Sequence, residues 1–167
     1  MDKTEYKIIE NVLDDEEFHK IKEKIASGDF PWHFLSWISD KEEDPDFNNN
    51  FYFVHMFYQE NQITSSFYQF LLPLIQVLKA KALMRVKGNL YTRTEKLEIH
   101  PFHIDVPFEH KGAIFYLNTN NGFTILEDGT KIKSVKNRLL LFDASRPHQS
   151  TSCTDKKYRL NINMNYF

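Results

Sequence analysis

From residue 82 onward the chain is a string of short apolar runs cut by turn residues. The runs are "ALMRVKGNLY", "GAIFYLN", "GFTIL", "TKIKSV", "RLLLF" and "YRLNINMNYF", with Asn121-Gly122 and Asp128-Gly129 among the turns. Strands this short and this evenly spaced predict an antiparallel sandwich or small barrel. The half before residue 80 reads differently, as helices plus strands. Asp14 is an N-cap and Glu17 completes a capping box. Phe18, Ile21 and Ile25 then recur at helical spacing, with Gly28 as a stop. A second helical pattern runs from about Ser66 to Lys79 and is expected to bend or break at Pro73. Helices first and strands later place the helices on the outside of one sheet. The segment 39–50, "SDKEEDPDFNNN", is the strongest loop signal and joins two parts of one domain.

A length of 167 residues suits a single domain with a real core, and 41% hydrophobic residues exclude a disordered tail. The formal net charge of -2, with no basic block, argues against tight electrostatic binding of nucleic acid. Cys153 is the only cysteine, which excludes an internal disulfide framework and a cysteine-rich zinc site. The start "MDKTEYKIIE" lacks the apolar core of a signal peptide, and "FLLPLIQVLKA" is too short to span a bilayer. These features lead to an expectation of a cytoplasmic protein that does not enter a membrane.

Two of the expected strands have an unusual second face. In 158–167, Leu160, Ile162, Met164 and Tyr166 share one side, and Arg159, Asn161, Asn163 and Asn165 share the other. In 82–91, Arg85, Lys87, Asn89 and Tyr91 likewise oppose Met84, Val86 and Leu90. A row of asparagines in a strand is either a solvated face or the lining of a polar pocket, and periodicity alone favours the solvated face.

The stretch "HPFHIDVPFEH" carries His100, His103, Asp105 and His110. His103 and Asp105 are two apart, so on an extended strand they point the same way, about 6–7 Å apart. A mononuclear iron site of the two-histidine, one-carboxylate kind needs one more histidine. The candidates are His19, His33, His55 and His148. His148 follows the strand "RLLLF" in "DASRPHQSTS". His19 reads as solvated, and His33 and His55 as packing or surface residues. His100 falls on the opposite parity from His103, and His110 reads as a surface-loop residue. Eleven residues past His148 stands Arg159, a side chain suited to bidentate capture of a carboxylate.

The ordered set of His-x-Asp, a distant His and a following Arg in a strand-rich half resembles the iron(II)- and 2-oxoglutarate-dependent dioxygenases, most nearly their prolyl-hydroxylase branch. "GNLY", "HIDVP", "AIFYLN", "RLLLFDASRPHQS" and "YRLNINMNYF" each resemble a segment of that branch, and together they cover about residues 82–167. The resemblance implies a mainly β (α+β) chain with a double-stranded β-helix (jelly-roll) core at 82–167. Residues 1–80 would supply helical support and flanking strands packed on the larger sheet, within one domain over 1–167. It implies that His103, Asp105 and His148 hold Fe(II). It places Arg159 on the distal carboxylate of 2-oxoglutarate, with the Tyr116 hydroxyl beside it. Tyr91, Asn89, Asn161 and Asn163 would line the pocket, so the asparagine face becomes pocket lining. Arg146, beside His148, is either a substrate contact or a solvated turn arginine. The loop 91–98 is a candidate cover for the pocket mouth.

The implied activity is hydroxylation of an unactivated C–H bond in a peptidyl-proline or small-molecule substrate. It uses O2 as oxidant and 2-oxoglutarate as co-substrate, and it admits ascorbate as an accessory reductant. Asn89-x-Tyr91 and Arg159-x-Asn161 also resemble motifs of nucleic-acid demethylases of the alkylation-repair type. That branch has a second arginine where this chain has Asn165, so demethylation is the alternative reading. A non-catalytic metal-binding barrel is the other alternative. Nothing in the sequence speaks to oligomeric state.

Overall fold

The computed structural model describes residues 5–36, 38 and 51–167; the expected loop 39–50 lies outside them. The chain runs β1 (Tyr6–Ile9), α1 (Asp15–Ile25), β2 (His33–Leu35), β3 (Tyr52–Gln59) and β4 (Gln62–Ile63). A 3-10 helix (Ser66–Leu71) then leads into α2 (Leu72–Leu78). The remaining strands are β5 (Leu83–Thr92), β6 (Lys111–Tyr116), β7 (Phe123–Leu126), β8 (Lys131–Lys133), β9 (Arg138–Asp143), β10 (His148–Gln149) and β11 (Tyr158–Tyr166).

Among the described residues the strands form two sheets and no closed barrel. The larger has the order β1-β9-β6-β11-β5-β3-β2, with β4 on β3. The smaller has the order β10-β7-β8. All of the strand pairings are antiparallel. Isolated bridges His103↔His148 and Ile99↔Thr151 lay the segment 99–103 along the smaller sheet. This is a double-stranded β-helix with helices on the outer face of its larger sheet.

The helices sit where the apolar periodicity puts them. The Asp14 carboxylate accepts from the Glu17 backbone N–H at 2.8 Å and caps α1. Phe18, Ile21 and Ile25 are its buried stripe. They join Leu71, Leu74 and Leu78 from the second helical segment and Phe57, Val86, Phe115, Leu160, Ile162 and Met164 from the larger sheet in one core. Phe18 meets Phe115 edge-on at 6.1 Å. The second helical segment breaks before Pro73 and not at it. The chain is 3-10 helical to Leu71, and Pro73 stands in the first turn of α2. There its missing N–H is one that no helix bonds internally. Among the described residues no helix is long and apolar enough to cross a membrane.

A second core lies between the sheets, built from Ile114, Tyr116, Leu126, Ile132, Leu140, Phe142 and Ala144. It fills one end of the inter-sheet space. The rest of that space holds the site, with a small cluster of Tyr52, Val54 and Tyr91 at its far edge.

Candidate metal centre

Two strands make the floor. β11 pairs with β5 in the register Arg159↔Tyr91, Asn161↔Asn89, Asn163↔Lys87 and Asn165↔Arg85. Side chains alternate across a sheet, so all eight share the face turned from the helices. That face is interior: Arg159 is 0% exposed and Asn165 2%. The asparagine row is pocket lining, not a solvated edge.

The segment 99–105 and β10 bring His103, Asp105 and His148 over this floor. One ligand atom from each lies within 4.8 Å of the others. His148 Nε2 is 3.9 Å from Asp105 Oδ2, and the two imidazoles are 4.4 Å apart between centroids. His148 is oriented by the Arg146 carbonyl, 3.1 Å from Nδ1. A proton donated there leaves Nε2 with a free lone pair on the side of Asp105. The Arg146 side chain itself pairs with Glu127 at 2.6 Å, both partly exposed, which is the solvated-turn role.

Asp105 is held from both sides. Arg85 donates to Oδ1 at 2.6 Å, while Asn165 and Asn163 donate to Oδ2 at 2.8 and 3.3 Å. Burial alone would push this carboxyl up. Arg85, His148, Asn165 and His103 outweigh that and hold it well below the usual carboxylate range. Burial pushes His103 the other way, to about 4, reinforced by His148; His148 is lowered too, again chiefly by burial. At neutral pH the cluster is therefore two neutral imidazoles and one carboxylate, already in the protonation state that metal binding needs.

Three buried polar atoms have no hydrogen-bond partner among the described residues: Asn89 Oδ1, Asn163 Oδ1 and His103 Nδ1. The Pro101 carbonyl lies close enough to His103 to oppose the lowering of its pKa, but no hydrogen bond of normal geometry satisfies Nδ1. All three atoms lie in the trio or on the floor beneath it. Buried orphans are rare in folded proteins, and a cluster of them fits a place where a ligand completes the structure. The donor set of two imidazoles and a carboxylate fits non-haem Fe(II).

Arg159 lies at the other end of the row. Its Nε donates to Ser134 Oγ at 2.8 Å, its Nη2 to Thr124 Oγ1 at 3.1 Å and its Nη1 to the Thr151 carbonyl at 3.4 Å. Its guanidinium is 5.3 Å from the Tyr91 ring centroid and 5.8 Å from that of Tyr116. Tyr116 shares Thr124 through a 2.8 Å hydroxyl contact. Burial raises the pKa of both tyrosines, so their hydroxyls stay protonated. Gly122 allows the arginine to lie so close. A Cβ there would stand 2.5 Å from the Ser152 carbonyl and 2.7 Å from Arg159 Cδ.

The structure thus gathers His103, Asp105, His148, Arg159, Tyr116, Tyr91, Asn89, Asn161 and Asn163 in one cleft. Asn161 accepts from Asn89 Nδ2 at 3.0 Å. One histidine stands differently from expectation. His110 is buried, not on a surface loop, with Nδ1 at 2.8 Å from the Phe108 carbonyl and Nε2 at 3.2 Å from Asn165. His100 is 2% exposed, bonded to Ser150 Oγ at 2.6 Å and stacked on Tyr91. The segment 93–99 is pinned to 151–153 through Thr94–Ser152, Glu98–Ser152 and Thr94–Cys153 hydrogen bonds, so its resting position is fixed. Sequence reasoning missed Arg85, Lys87 and Asn165 as site residues, although all three sat on the polar faces it identified. A cleft of about 780 Å³ between Tyr6, Phe142, His110 and Phe167 adjoins the site but contains none of the trio.

No family model and no curated protein matches the sequence. Solved structures do. The chain resembles an oxidoreductase of the 2OG-Fe(II) oxygenase family from Burkholderia pseudomallei with a TM-score of 0.73 at 10% identity, covering 96% of this chain and 84% of that one. It resembles a Trichoplax adhaerens prolyl hydroxylase, solved with a peptide of hypoxia inducible factor, at 0.65 and 15%, over 97% and 83%. It also resembles the alpha-ketoglutarate-dependent epimerase of nogalamycin biosynthesis, solved with Fe3+, alpha-ketoglutarate and a nogalamycin compound, at 0.67 and 14%, over 98% and 79%. The chain therefore has the double-stranded β-helix fold of the 2OG-Fe(II) oxygenases.

Proposed function

We propose that this protein is an Fe(II)- and 2-oxoglutarate-dependent dioxygenase that hydroxylates an unactivated C–H bond in the manner of a prolyl hydroxylase. The observation that carries this reading is the His103/Asp105/His148 cluster, with ligand atoms within 4.8 Å, at one end of a buried polar row that ends in Arg159. Bound there, Fe(II) with 2-oxoglutarate supplies the power to place one oxygen atom of O2 in a C–H bond while 2-oxoglutarate becomes succinate and CO2.

The chain's residues do the positioning. Arg159 receives the distal carboxylate, its guanidinium already fixed by Ser134, Thr124 and Thr151. A preset fork loses little entropy on binding. The Tyr116 hydroxyl stands beside it on Thr124. Arg85 and Asn165 hold Asp105 ionised and in one rotamer, and the Arg146 carbonyl fixes the His148 tautomer. Tyr91, Asn89, Asn161 and Asn163 line the floor, and Ile114 and Leu126 keep water from one end. The same reading takes residues 1–167 as one catalytic unit working in the cytoplasm on a prolyl residue of a peptide or on a small molecule.

The test is an anaerobic titration with Fe(II) and 2-oxoglutarate, following the weak visible charge-transfer band of the chelate. The band is expected in the wild type, absent in His103→Ala and shifted to higher 2-oxoglutarate in Arg159→Ala. Folded protein with neither band nor bound iron would overturn the reading. A band without 2-oxoglutarate-dependent CO2 release across peptide, small-molecule and alkylated-oligonucleotide substrates would make the chain a metal-binding module.

A further inference from the structure

The floor of the cleft carries one cation that the chemistry above leaves unused. Lys87 lies between Arg85 and Asn89 on β5, directly across from Asn163. Its ammonium is 5.7 Å from the centroid of the Tyr52 ring, and Tyr52 stacks on Tyr91 at 5.4 Å. Among the described residues it has no hydrogen bond and no ion pair. Asn89 Oδ1 and Asn163 Oδ1, its neighbours along and across the sheet, are the two unpartnered amide oxygens of the floor. The charged groups acting on Lys87 are Arg85 and Asp105, and burial and Arg85 lower its pKa to about 8, so it remains mostly a cation at neutral pH. Lys87 is half-buried, and a cation held there against an aromatic face, with no anion or hydrogen-bond acceptor among the described residues, points to a ligand.

A count of charges says which ligand, and it rests on the function proposed above. The trio and floor hold Arg85, Lys87 and Arg159 against Asp105 alone. The distal carboxylate of 2-oxoglutarate answers Arg159. Asp105 and the near carboxylate answer Fe(II). Arg85 leans on Asp105, whose charge is then shared with the metal. With iron and co-substrate in place, the side of the cleft at Lys87 and Arg85 still holds uncompensated positive charge.

We propose that Lys87, backed by Arg85, is a specificity-determining cation that receives a carboxylate or phosphate of the substrate, which is a small organic acid or phosphate ester. An internal prolyl residue brings no such group of its own, since its carboxyl is tied up in the peptide bond. The bond formed is a charge-assisted hydrogen bond from Nζ, strong because the site is sheltered from water.

The experiment uses full-length protein loaded anaerobically with Fe(II) and 2-oxoglutarate, with loading verified by the charge-transfer band. It is dialysed to equilibrium against sets of small molecules matched in skeleton: a carboxylic acid, its phosphate-ester counterpart, and the neutral amide or alcohol. Free L-proline and L-prolinamide form one set, and an internal prolyl peptide is included. Binders are expected among the charged members, with the carboxylate and phosphate arms showing which anion is preferred. Lys87→Met should weaken them by about 10–100-fold, the range for losing a hydrogen bond to a charged group. Lys87→Arg should retain most of the affinity, and Lys87→Met should melt at a higher temperature than wild type because a half-buried charge with no anionic partner among the described residues is gone. Binding confined to neutral members or to the internal peptide, no anionic binder at all, or equal affinity in Lys87→Met overturns the inference while the band stands. Loss of the band in the wild type overturns the function on which it rests.

Discussion

On one side of β11, Leu160, Ile162, Met164 and Tyr166 pack against the helices; on the other, Arg159, Asn161, Asn163 and Asn165 face the smaller sheet. The two faces are buried almost equally, with Leu160 at 1% exposure and Arg159 at 0%. What separates them is how the buried groups are satisfied. The helix face is mostly hydrocarbon, and its buried His55 is satisfied at both ring nitrogens by the Pro31 carbonyl and the Ser65 hydroxyl. The cleft face is a hydrogen-bonded array that leaves Asn89 Oδ1 and Asn163 Oδ1 without partners among the described residues. Depth of burial therefore says little about role, whereas unfinished hydrogen bonding in an otherwise closed interior marks the working face.

The largest effect expected from this contrast is on activity. Asp105→Ala, like His103→Ala or His148→Ala, should abolish 2-oxoglutarate turnover, measured as CO2 release, while circular dichroism stays that of the wild type. Retained turnover in all three would break the assignment of the cleft face as the working one.

The next effect is read through pH. In the metal-free protein His100 and His103 are neutral and buried, with pKa values lowered by burial to about 3 and about 4. The unfolded chain binds these protons near pH 6.5. Between about pH 6.5 and 4 it therefore holds more protons than the folded one, so stability falls as pH falls, by up to about 1.4 kcal/mol per unit for each histidine. Asp105, depressed by its cationic neighbours, adds a loss only below about pH 4. Urea unfolding across pH 4–7 checks this. A flat profile would mean that the histidines of the cleft are not held neutral. On the helix face His55, buried against Phe30, Phe57 and Phe67, is also held below its usual pKa by burial, so it adds to the slope, and His55→Gln isolates the share that belongs to the cleft.

Much of this division is legible in the sequence, because alternation along 158–167 and 82–91 sorts residues to faces without further information. His-x-Asp parity brings out His103 and Asp105, and the turn after "RLLLF" makes His148 one of four candidates, from which the family resemblance then singles it out. Register is not legible. Arg85 reaches Asp105 only because β5 sets it opposite Asn165, and the sequence says nothing about that offset. His110 looked solvent-facing beside Glu109 and Lys111, yet β11 places Asn165 against its ring. Pro73 announced a break, but whether a proline ends one helix or begins the next depends on which turn packs, and here Leu74 is buried in the helix-side core.

A pair of neighbouring truncations sharpens the comparison at smaller magnitude. Ile162→Ala removes a fully buried side chain from the helix-side core and should cost about 2–5 kcal/mol. Asn161→Ala loses one hydrogen bond, to Asn89 at 3.0 Å, and should cost about 0.5–1.5 kcal/mol. Affinity for 2-oxoglutarate, read from the charge-transfer titration, should run in the opposite order. It should weaken in Asn161→Ala and stay near wild type in Ile162→Ala at temperatures where that variant is folded. If both variants lose stability and affinity together, the two interiors are not separable.

The smallest effect is expected farthest from the cleft. Asp14 satisfies the Glu17 N–H at the start of α1, on the outer side of the larger sheet. Asp14→Ala leaves that donor to water and removes a negative charge from the positive end of the helix dipole. The expected cost is about 1 kcal/mol, or a fall of roughly 2–4 °C in melting temperature for a chain of this size. Because α1 touches the cleft only through the sheet's apolar face, metal loading and 2-oxoglutarate affinity should not change. A cap variant that loses affinity as well as stability would show that the helix layer sets the shape of the cleft, and the two faces of β11 would then have to be treated as one coupled unit.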